Sequence, residues 1–461
     1  MKKNVTAVFD IGKTNKKFFL FDNNYQEVYR EYTRFPLIED EDGHPTEDLL
    51  ALRNWVQNLF IRVLNEEKWN ITSVNFSTYG ASLVHVDEYG EVLTPLYNYT
   101  KPLDSKIVDS FFMKYGPEKE FAMVTGSDNS GMLNAGLQLY WLKYTQPEVF
   151  KKIKYSLHLP QYMSYLFTGI PLSDYTSLGC HTALWDYRKH DYHQWVYEEG
   201  FHHILPPLVT TDTSINMNYQ GHRIKTGVGI HDSSAALLPY IRSADHPFIL
   251  VSTGTWSISL NPFSQLNLTE KDVENQCINY MRINGDPVKA GRVFLGNEYN
   301  LQVQLLSNHF KVPEDHHQKV KFNKASYLKI ISDFEYHFKW IGIEDDNMPD
   351  QTKIPFDNFE MAYHQLMVEL VLLQVKTIQI AASGEEMETL YVDGGFSDNE
   401  IFISLLSHYF KEMELQTTDS SLGSALGAAL VLSDLKLDTE FLKKNYSLRK
   451  HKPPVFSKSD Q

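Results

Sequence analysis

The strongest constraint on this chain is an order of elements that it runs through twice. A strand, Val5 to Ile11, meets a polar turn, Gly12-Lys-Thr-Asn-Lys-Lys17, and then a second strand, Phe18 to Asp22. Tyr25 to Phe35 reads as a third. Leu49 to Leu64 carries apolar residues at helical spacing, and Ile71 to Ser77 reads as a strand that runs into Thr78-Tyr-Gly80. The second half repeats the order. Phe248 to Ser252 is a strand, Thr253-Gly-Thr255 a turn, and Trp256 to Leu260 a strand. Asn358 to Ala382 is the longest helical pattern, and the strand Glu388 to Val392 ends in Asp393-Gly-Gly395. These hairpins differ from the common phosphate loop, where a strand runs straight into a helix. Two copies of hairpin, long helix and glycine-ended strand predict an internal duplication. The implied fold is two similar α/β lobes that face each other, each offering a small-residue turn whose N–H groups hold an anion. A nucleotide fits between them.

The link between the copies is Gly227-Val-Gly-Ile-His-Asp-Ser-Ser-Ala-Ala236, where Asp232 stands among small residues. Asp232 has two readings. It caps a helix that begins at Ser233, because Asp is a preferred N-cap, or it is a general base. Spacing alone favours the cap. Both can hold, since a helix N-terminus helps to keep a carboxylate ionised.

Gly136 to Tyr144, Pro147 to Tyr155 and Tyr162 to Phe167 read as helices, and Leu83 to Val86 as a strand. Gly169 to His190 is given no regular structure. Glu400 to Phe410 is an amphipathic helix. The run Leu422-Gly-Ser-Ala-Leu-Gly-Ala-Ala429 has the small residues for close packing, and the tail from Arg449 is expected to fray.

The 461 residues divide into two domains and a tail, taken as 1–241, 242–440 and 441–461. A formal net charge of −15 argues against nucleic acid as a partner. Two cysteines, Cys180 and Cys277, build neither a disulfide framework nor a zinc cluster. The apolar run near the start is too short for a signal-peptide core. No run reads as long enough to span a membrane, so the expected compartment is the cytoplasm.

Four segments carry a resemblance to the FGGY carbohydrate kinases, of the sugar kinase, actin and heat-shock ATPase superfamily. Asp10-Ile-Gly-Lys-Thr-Asn-Lys16 resembles the first phosphate motif, and Ser252-Thr-Gly-Thr-Trp-Ser257 the second. Asp393-Gly-Gly-Phe-Ser-Asp-Asn399 with Gly423-Ser-Ala-Leu-Gly-Ala-Ala429 is similar to the adenosine motif. His231-Asp232 stands where the family has its base. Rhamnulokinases are the nearer branch, through Thr78-Tyr-Gly80, Leu83 to Gly90, Pro160 to Gly169 and His231-Asp232. Two departures stand out. Ser82 replaces the acid that rhamnulokinases usually carry there, and Gly12-Lys-Thr14 replaces their glycine–alanine–serine turn, which adds charge.

The resemblance implies two actin-like (ribonuclease H-like) lobes with an interlobe cleft. It also implies an ATP-dependent transfer to a ketose hydroxyl, with L-rhamnulose or L-fuculose as the first choice. The alternatives are xylulose, ribulose or erythritol, or a sensor that binds without turnover. It gives Asp232 the role of base, and makes Asp10 the residue that orients Mg²⁺. Gly12, Lys13, Thr14, Asn15, Lys16, Gly254 and Thr255 then face the phosphates. Lys13 and Lys17 also read as surface lysines, and Lys17 is not selected. Gly394, Gly395 and Asn399 face the adenosine, with Asn399 equally well read as a helix cap. Gly80, Ala81, Ser82, His231, Asp232 and Asn297 face the sugar. Trp256 reads as packing beneath its turn. A homodimer fits such kinases, but this sequence offers no argument for one.

Overall fold

A computed structural model describes residues 2–340, 348–419 and 422–454. Its first sheet holds β1 (Lys3–Ile11), β2 (Lys16–Asp22), β3 (Glu27–Thr33), β4 (Trp69–Thr78), β5 (Ser214–Tyr219), β6 (His222–Gly227) and β7 (Ile230–His231). Around it lie α1 (Leu49–Leu64), α2 (Leu159–Thr168) and α3 (Asp232–Ser243). The second sheet holds β8 (Phe248–Thr253), β9 (Ser257–Asn261), β10 (Cys277–Met281), β11 (Pro287–Val293), β12 (Thr389–Gly394), β13 (Glu414–Thr417) and β14 (Arg449–Lys450). Its helices include α4 (Leu295–Phe310), α5 (Phe359–Ala382), α6 (Glu400–Tyr409) and α7 (Gly423–Leu430).

The duplication is visible strand by strand. In the first sheet β3, β2, β1 and β4 are neighbours, with β6 and β7 both beside β4; β1–β2 and β2–β3 are antiparallel and the later steps parallel. In the second, β11, β9, β8, β12 and β13 follow in the same senses. α1 precedes β4 as α5 precedes β12. α3 follows β7 as α7 follows β13.

Local chemistry explains the elements. α1 starts because the Asp48 carboxylate accepts from the Ala51 N–H, and it buries Leu52, Val56, Leu59, Phe60 and Val63 on one face. α3 and α7 cross where only glycine fits: a Cβ on Gly427 would stand 1.8 Å from the Ala235 carbonyl oxygen. α7 reaches the first sheet as well, where Asn75 Nδ2 donates to the Ala428 carbonyl at 2.8 Å. Apolar side chains of β1, β2, α3, β8 and α7 form one core between the lobes, including Val8, Phe19, Leu238, Leu250 and Leu426.

Several sequence expectations need correction. The helix expected from Pro147 to Tyr155 stops at Phe150, and Tyr155–His158 is a strand paired with Leu83–Val86. Within Gly169 to His190 the short helix Tyr175–Leu178 is capped by Asp174. The fraying expected from Arg449 does not begin there: β14 pairs with β13, and Thr417 Oγ1 and His451 Nε2 lie 2.8 Å apart. Residues 455–461 of that tail lie outside the described residues. The expectation that no run could cross a membrane also fails on composition. α5 is long and apolar enough for that, but its length is mostly buried as the core helix of the second sheet. The boundary expected at 241/242 falls in the last turn of α3.

Candidate functional site

The two hairpins face each other across a cavity of about 470 Å³ lined by Lys17, Asp232, Ser252, Ile258, Asp393 and Ser424, among others. In the first hairpin Ile11 pairs with Lys16, and Asp10 with Lys17. Cross-strand partners share a sheet face, so Asp10 and Lys17 lie together. Lys17 Nζ is 3.6 Å from Asp10 Oδ2, and Ser424 Oγ of α7 donates to Asp10 Oδ1 at 2.8 Å. Burial raises the Asp10 pKa above the usual carboxylate value, against the opposing pull of Lys17 and Ser424.

The same register turns Lys16 away from the cavity. Lys16 is buried, donates to Glu47 Oε1 at 2.9 Å and to the Lys13 carbonyl at 3.0 Å, and so leaves the expected phosphate set. The Gly12 N–H closes the turn onto the Asn15 carbonyl at 3.0 Å. Thr14 is exposed, and Asn15 Oδ1 accepts from Arg34 at 2.6 Å. The Lys13 ammonium lies 4.8 Å and 4.7 Å from the ring centroids of Tyr79 and Tyr99. Burial lowers its pKa. Lys17 is the functional candidate that reasoning by residue type missed. Pairing the two strands across the four-residue turn would have put it beside Asp10.

Asp232 is the first residue of α3, with His231 at the N-cap and no capping bond from a side chain. The cap reading is therefore replaced. Asp232 Oδ1 instead meets His231 Nε2 at 3.2 Å and the Ser233 hydroxyl at 3.3 Å. Its side chain keeps 34% exposure, toward the cavity. Burial lowers the His231 pKa, against the opposing charges of Asp232 and Asp174. A neutral ring that donates to Asp232 carries its proton on Nε2, which leaves Nδ1 as a buried acceptor without a partner.

The expected sugar-side residues gather around that ring. A Cβ on Gly80 would stand 3.0 Å from His231 Nε2, and Cys180 Sγ is 3.1 Å from the same nitrogen. Ala81 adopts φ 55°, and its carbonyl accepts from Gln138 at 2.8 Å. Ser82 is buried, and its carbonyl accepts from the Leu159 N–H at 3.1 Å. Both ring nitrogens of neighbouring His158 are buried without partners. His158 gave no sequence signal, because its place depends on the pairing of Leu83 with His158.

A second cavity, about 560 Å³, is lined by Gly254, Thr255, Asn297, Tyr363, Gly395 and Asn399, among others. Asn297 therefore sits with the expected nucleotide residues, not with the sugar-side wall. The cause is the start of α4, where the Gly296 N–H donates to the Thr255 carbonyl at 3.1 Å. Gly394 lines the first cavity at φ 87°, where a Cβ would stand 1.9 Å from the Thr253 carbonyl oxygen. Asn399 caps α6 through the Phe402 N–H and donates to the Tyr363 hydroxyl, each at 3.0 Å. Trp256 does not pack beneath its turn. It is 43% exposed, with its ring 4.8 Å from that of Phe294.

Residues 5–236 match the profile of the N-terminal domain of the FGGY family of carbohydrate kinases. A rhamnulokinase of Halalkalibacterium halodurans is 25% identical over 190 residues, 40% of this chain and 40% of the relative. An L-fuculokinase of Escherichia coli K12 is 22% identical over 291 residues, 58% of each. The matches thus span about half the length of these curated relatives. A solved xylulose kinase from Rhodospirillum rubrum superposes with a TM-score of 0.80 at 14% identity, covering 99% of this chain and 95% of that one. A carbohydrate kinase from Novosphingobium aromaticivorans gives 0.78 at 21%, covering 98% and 95%. The fold is accordingly the two-lobed, actin-like one of these sugar kinases.

Proposed function

We propose, from the premise that this chain belongs to the FGGY family of carbohydrate kinases, that it transfers the γ-phosphate of ATP to a ketose hydroxyl, with Asp232 as general base. One observation carries the reading. A partly exposed carboxylate at a helix N-terminus opens onto a cavity whose other walls are the hairpin bearing Asp10 and Lys17 and the hairpin bearing Ser252.

The acceptor lies against Gly80, Ala81, Ser82 and His231. Its hydroxyl gives its proton to Asp232 as the oxygen bonds to the γ-phosphorus and the bond to the ADP oxygen breaks. Little covalent help is required, so positioning and charge do the work. The His231 and Ser233 contacts of the Asp232 carboxylate both fall on Oδ1. Oδ2 is left for the acceptor. Lys17 faces the charge that develops on the transferred group, and the turns at Lys13–Asn15 and Gly254–Thr255 hold the phosphates. The adenosine occupies the second cavity beside Gly395 and Asn399.

Mg²⁺ fits this site as a passenger on the phosphates. Among the described residues no three His, Cys, Asp or Glu side chains stand close enough to cage an ion. Mg²⁺ bound to nucleotide keeps several waters and needs only one or two carboxylates, and Asp10 supplies one. When bound, the ion neutralises phosphate charge.

A deoxy-ketose such as L-rhamnulose or L-fuculose is the first-choice acceptor. Support comes from the relatives named rhamnulokinase and L-fuculokinase. Ser82, in place of an acid, alters the hydrogen bonding to the sugar and keeps other ketoses and polyols in the test. The cytoplasm, where ATP is available, is the proposed compartment. The test is ADP release with Mg·ATP across L-rhamnulose, L-fuculose, D-xylulose, L-ribulose, erythritol and glycerol. Asp232→Asn should lose about 10²–10⁴ in turnover and still bind ATP. An active Asn variant sinks the assignment.

A further inference from the structure

The second lobe meets the first beside His181 through an ion pair whose guanidinium is buried and whose carboxylate is partly exposed. Arg292, near the end of β11, is buried, and its Nη2 donates to Asp128 Oδ2 at 2.8 Å. Asp128 belongs to the first-lobe segment before Met132. The guanidinium carbon lies 5.8 Å from the centroid of the Trp256 ring. Trp256 in turn follows Gly254 and Thr255, which line the second cavity.

The neighbouring strand β10 docks beside the acceptor wall. The Tyr280 hydroxyl is 3.2 Å from His181 Nε2, and the Tyr280 ring packs 5.8 Å from that of His231. The Ser234 hydroxyl, in the first turn of α3, donates to the Met281 carbonyl at 3.0 Å. Arg292 and Tyr280 thus join the second-lobe turn to the residues around Asp232.

Stability alone does not account for the pair. Replacing a buried ion pair with apolar side chains is often neutral or stabilising. Arg292 Nη2 also reaches Gln276 Oε1 at 3.4 Å, while the Arg292 Nε–H and neighbouring His181 Nδ1 are buried without protein partners. The flat guanidinium also suits Arg and not Lys, because it bonds a carboxylate in its plane and faces an indole.

We propose that Arg292 is a positioning residue for phosphoryl transfer, tying the Thr253–Trp256 turn to Asp128 so that nucleotide turn and acceptor wall move as one unit. It rests on the kinase reading above.

The experiment compares wild type with Arg292→Met, Arg292→Lys, Asp128→Asn and the Arg292→Met/Asp128→Asn pair. Three quantities are read: ADP formation with acceptor, ATP hydrolysis without it, and ATP affinity by calorimetry. Misplacement by about 1 Å costs about 10²-fold, so Arg292→Met should lose about that in kcat with ATP affinity nearly unchanged. The share of ATP hydrolysed without acceptor should rise, and Arg292→Lys should fall between. Residues acting as one unit are non-additive, so the double variant should be no worse than Arg292→Met. Wild-type kinetics in Arg292→Met, or a multiplicative loss in the double variant, overturns the proposal. Should Arg292→Met fail to fold, wild-type kinetics in Asp128→Asn overturns it equally. A wild type with no acceptor-dependent ADP formation removes the kinase reading and this proposal together. An active wild type with unaffected variants removes this proposal only.

Discussion

Gly427→Ala probes the geometry that places the proposed base against Asp10. α3 starts at Asp232 and α7 carries Ser424, whose hydroxyl holds Asp10. These helices touch at Gly427, where an added Cβ would lie 1.8 Å from the Ala235 oxygen, 2.4 Å from its carbonyl carbon and 2.9 Å from its Cα. Those atoms are backbone and cannot swing aside. Ordinary carbon contacts need roughly 3.5 Å, so the helices must part by about 1.5 Å. Overpacking of this kind costs about 1–3 kcal/mol. The larger effect falls on the site, because the displacement separates the Asp232 helix from the Ser424–Asp10 pair. A shift of about 1 Å is enough to cost about 10²-fold in rate. Gly427→Ala should therefore lose at least about 10²-fold in acceptor-dependent ADP formation. It should melt a few degrees lower and still bind ATP, since the second cavity lies elsewhere. Coupled kinetics and thermal melts read the two effects separately. A variant with wild-type kcat and melting temperature would show that the crossing does not set the base's position.

Three further outcomes follow from charged side chains. Lys16→Met leaves Glu47 buried without its cation and should cost about 3–5 kcal/mol in stability. Lys17→Met should leave the melt nearly unchanged and lower kcat by about 10²–10³-fold, as when one transition-state donor is removed; the reverse pattern would undo the assignment of faces. Glu199 is buried among Lys114, Lys143, Tyr115 and Tyr144. Burial pushes its carboxyl up, but the hydrogen bonds from those four win and hold it at about 2. The folded value lies below the unfolded one of about 4.3. Its contribution is therefore fully present above that pH and lost as pH falls toward 2. Glu199→Gln should cost about 3 kcal/mol at pH 7 and flatten the stability profile between pH 5 and 2, measured by urea melts. An unchanged acid limb would show that the cluster contributes nothing.

What could be read from the sequence divides by range of interaction. α1 was legible to the residue, because Asp48 and the apolar spacing from Leu49 are local signals. Both hairpins and their glycines were legible for the same reason. Lys16 and Lys17 are neighbours of one type, and only the Ile11–Lys16 register separates the buried one from the one in the cleft. The helix read over Pro147 to Tyr155 cannot show that Tyr155–His158 is a strand, because its partner, Leu83–Val86, lies some seventy residues earlier. Asn297 takes its place from the packing of α4 on Thr255, and β14 exists because β13 would otherwise present an open edge. In each case the missing information was a long-range pairing, not a residue preference.

The duplication also explains why one cleft holds two kinds of chemistry. Equivalent strands place Asp10 and Lys17 in the first hairpin where the second has Ser252 and Ile258. Lys17, Ser252 and Ile258 all line the cavity between the lobes. The positions match while the charges do not. A symmetric pair of charged hairpins would set two lysines and two carboxylates around one small space, with like charges opposed. In the proposed reaction the charged hairpin faces the reacting group, and the uncharged hairpin carries the turn that leads into the second cavity. The helices after the matching strands divide the work in the same way. α3 begins with the proposed base, whereas α7 begins with small residues that let it reach across and hold Asp10 through Ser424. In the proposed kinase the asymmetry thus arises from a few side chains set on a symmetric frame, which is why Asp10, Lys17, Asp232 and Ser424 should act as a unit in mutant cycles.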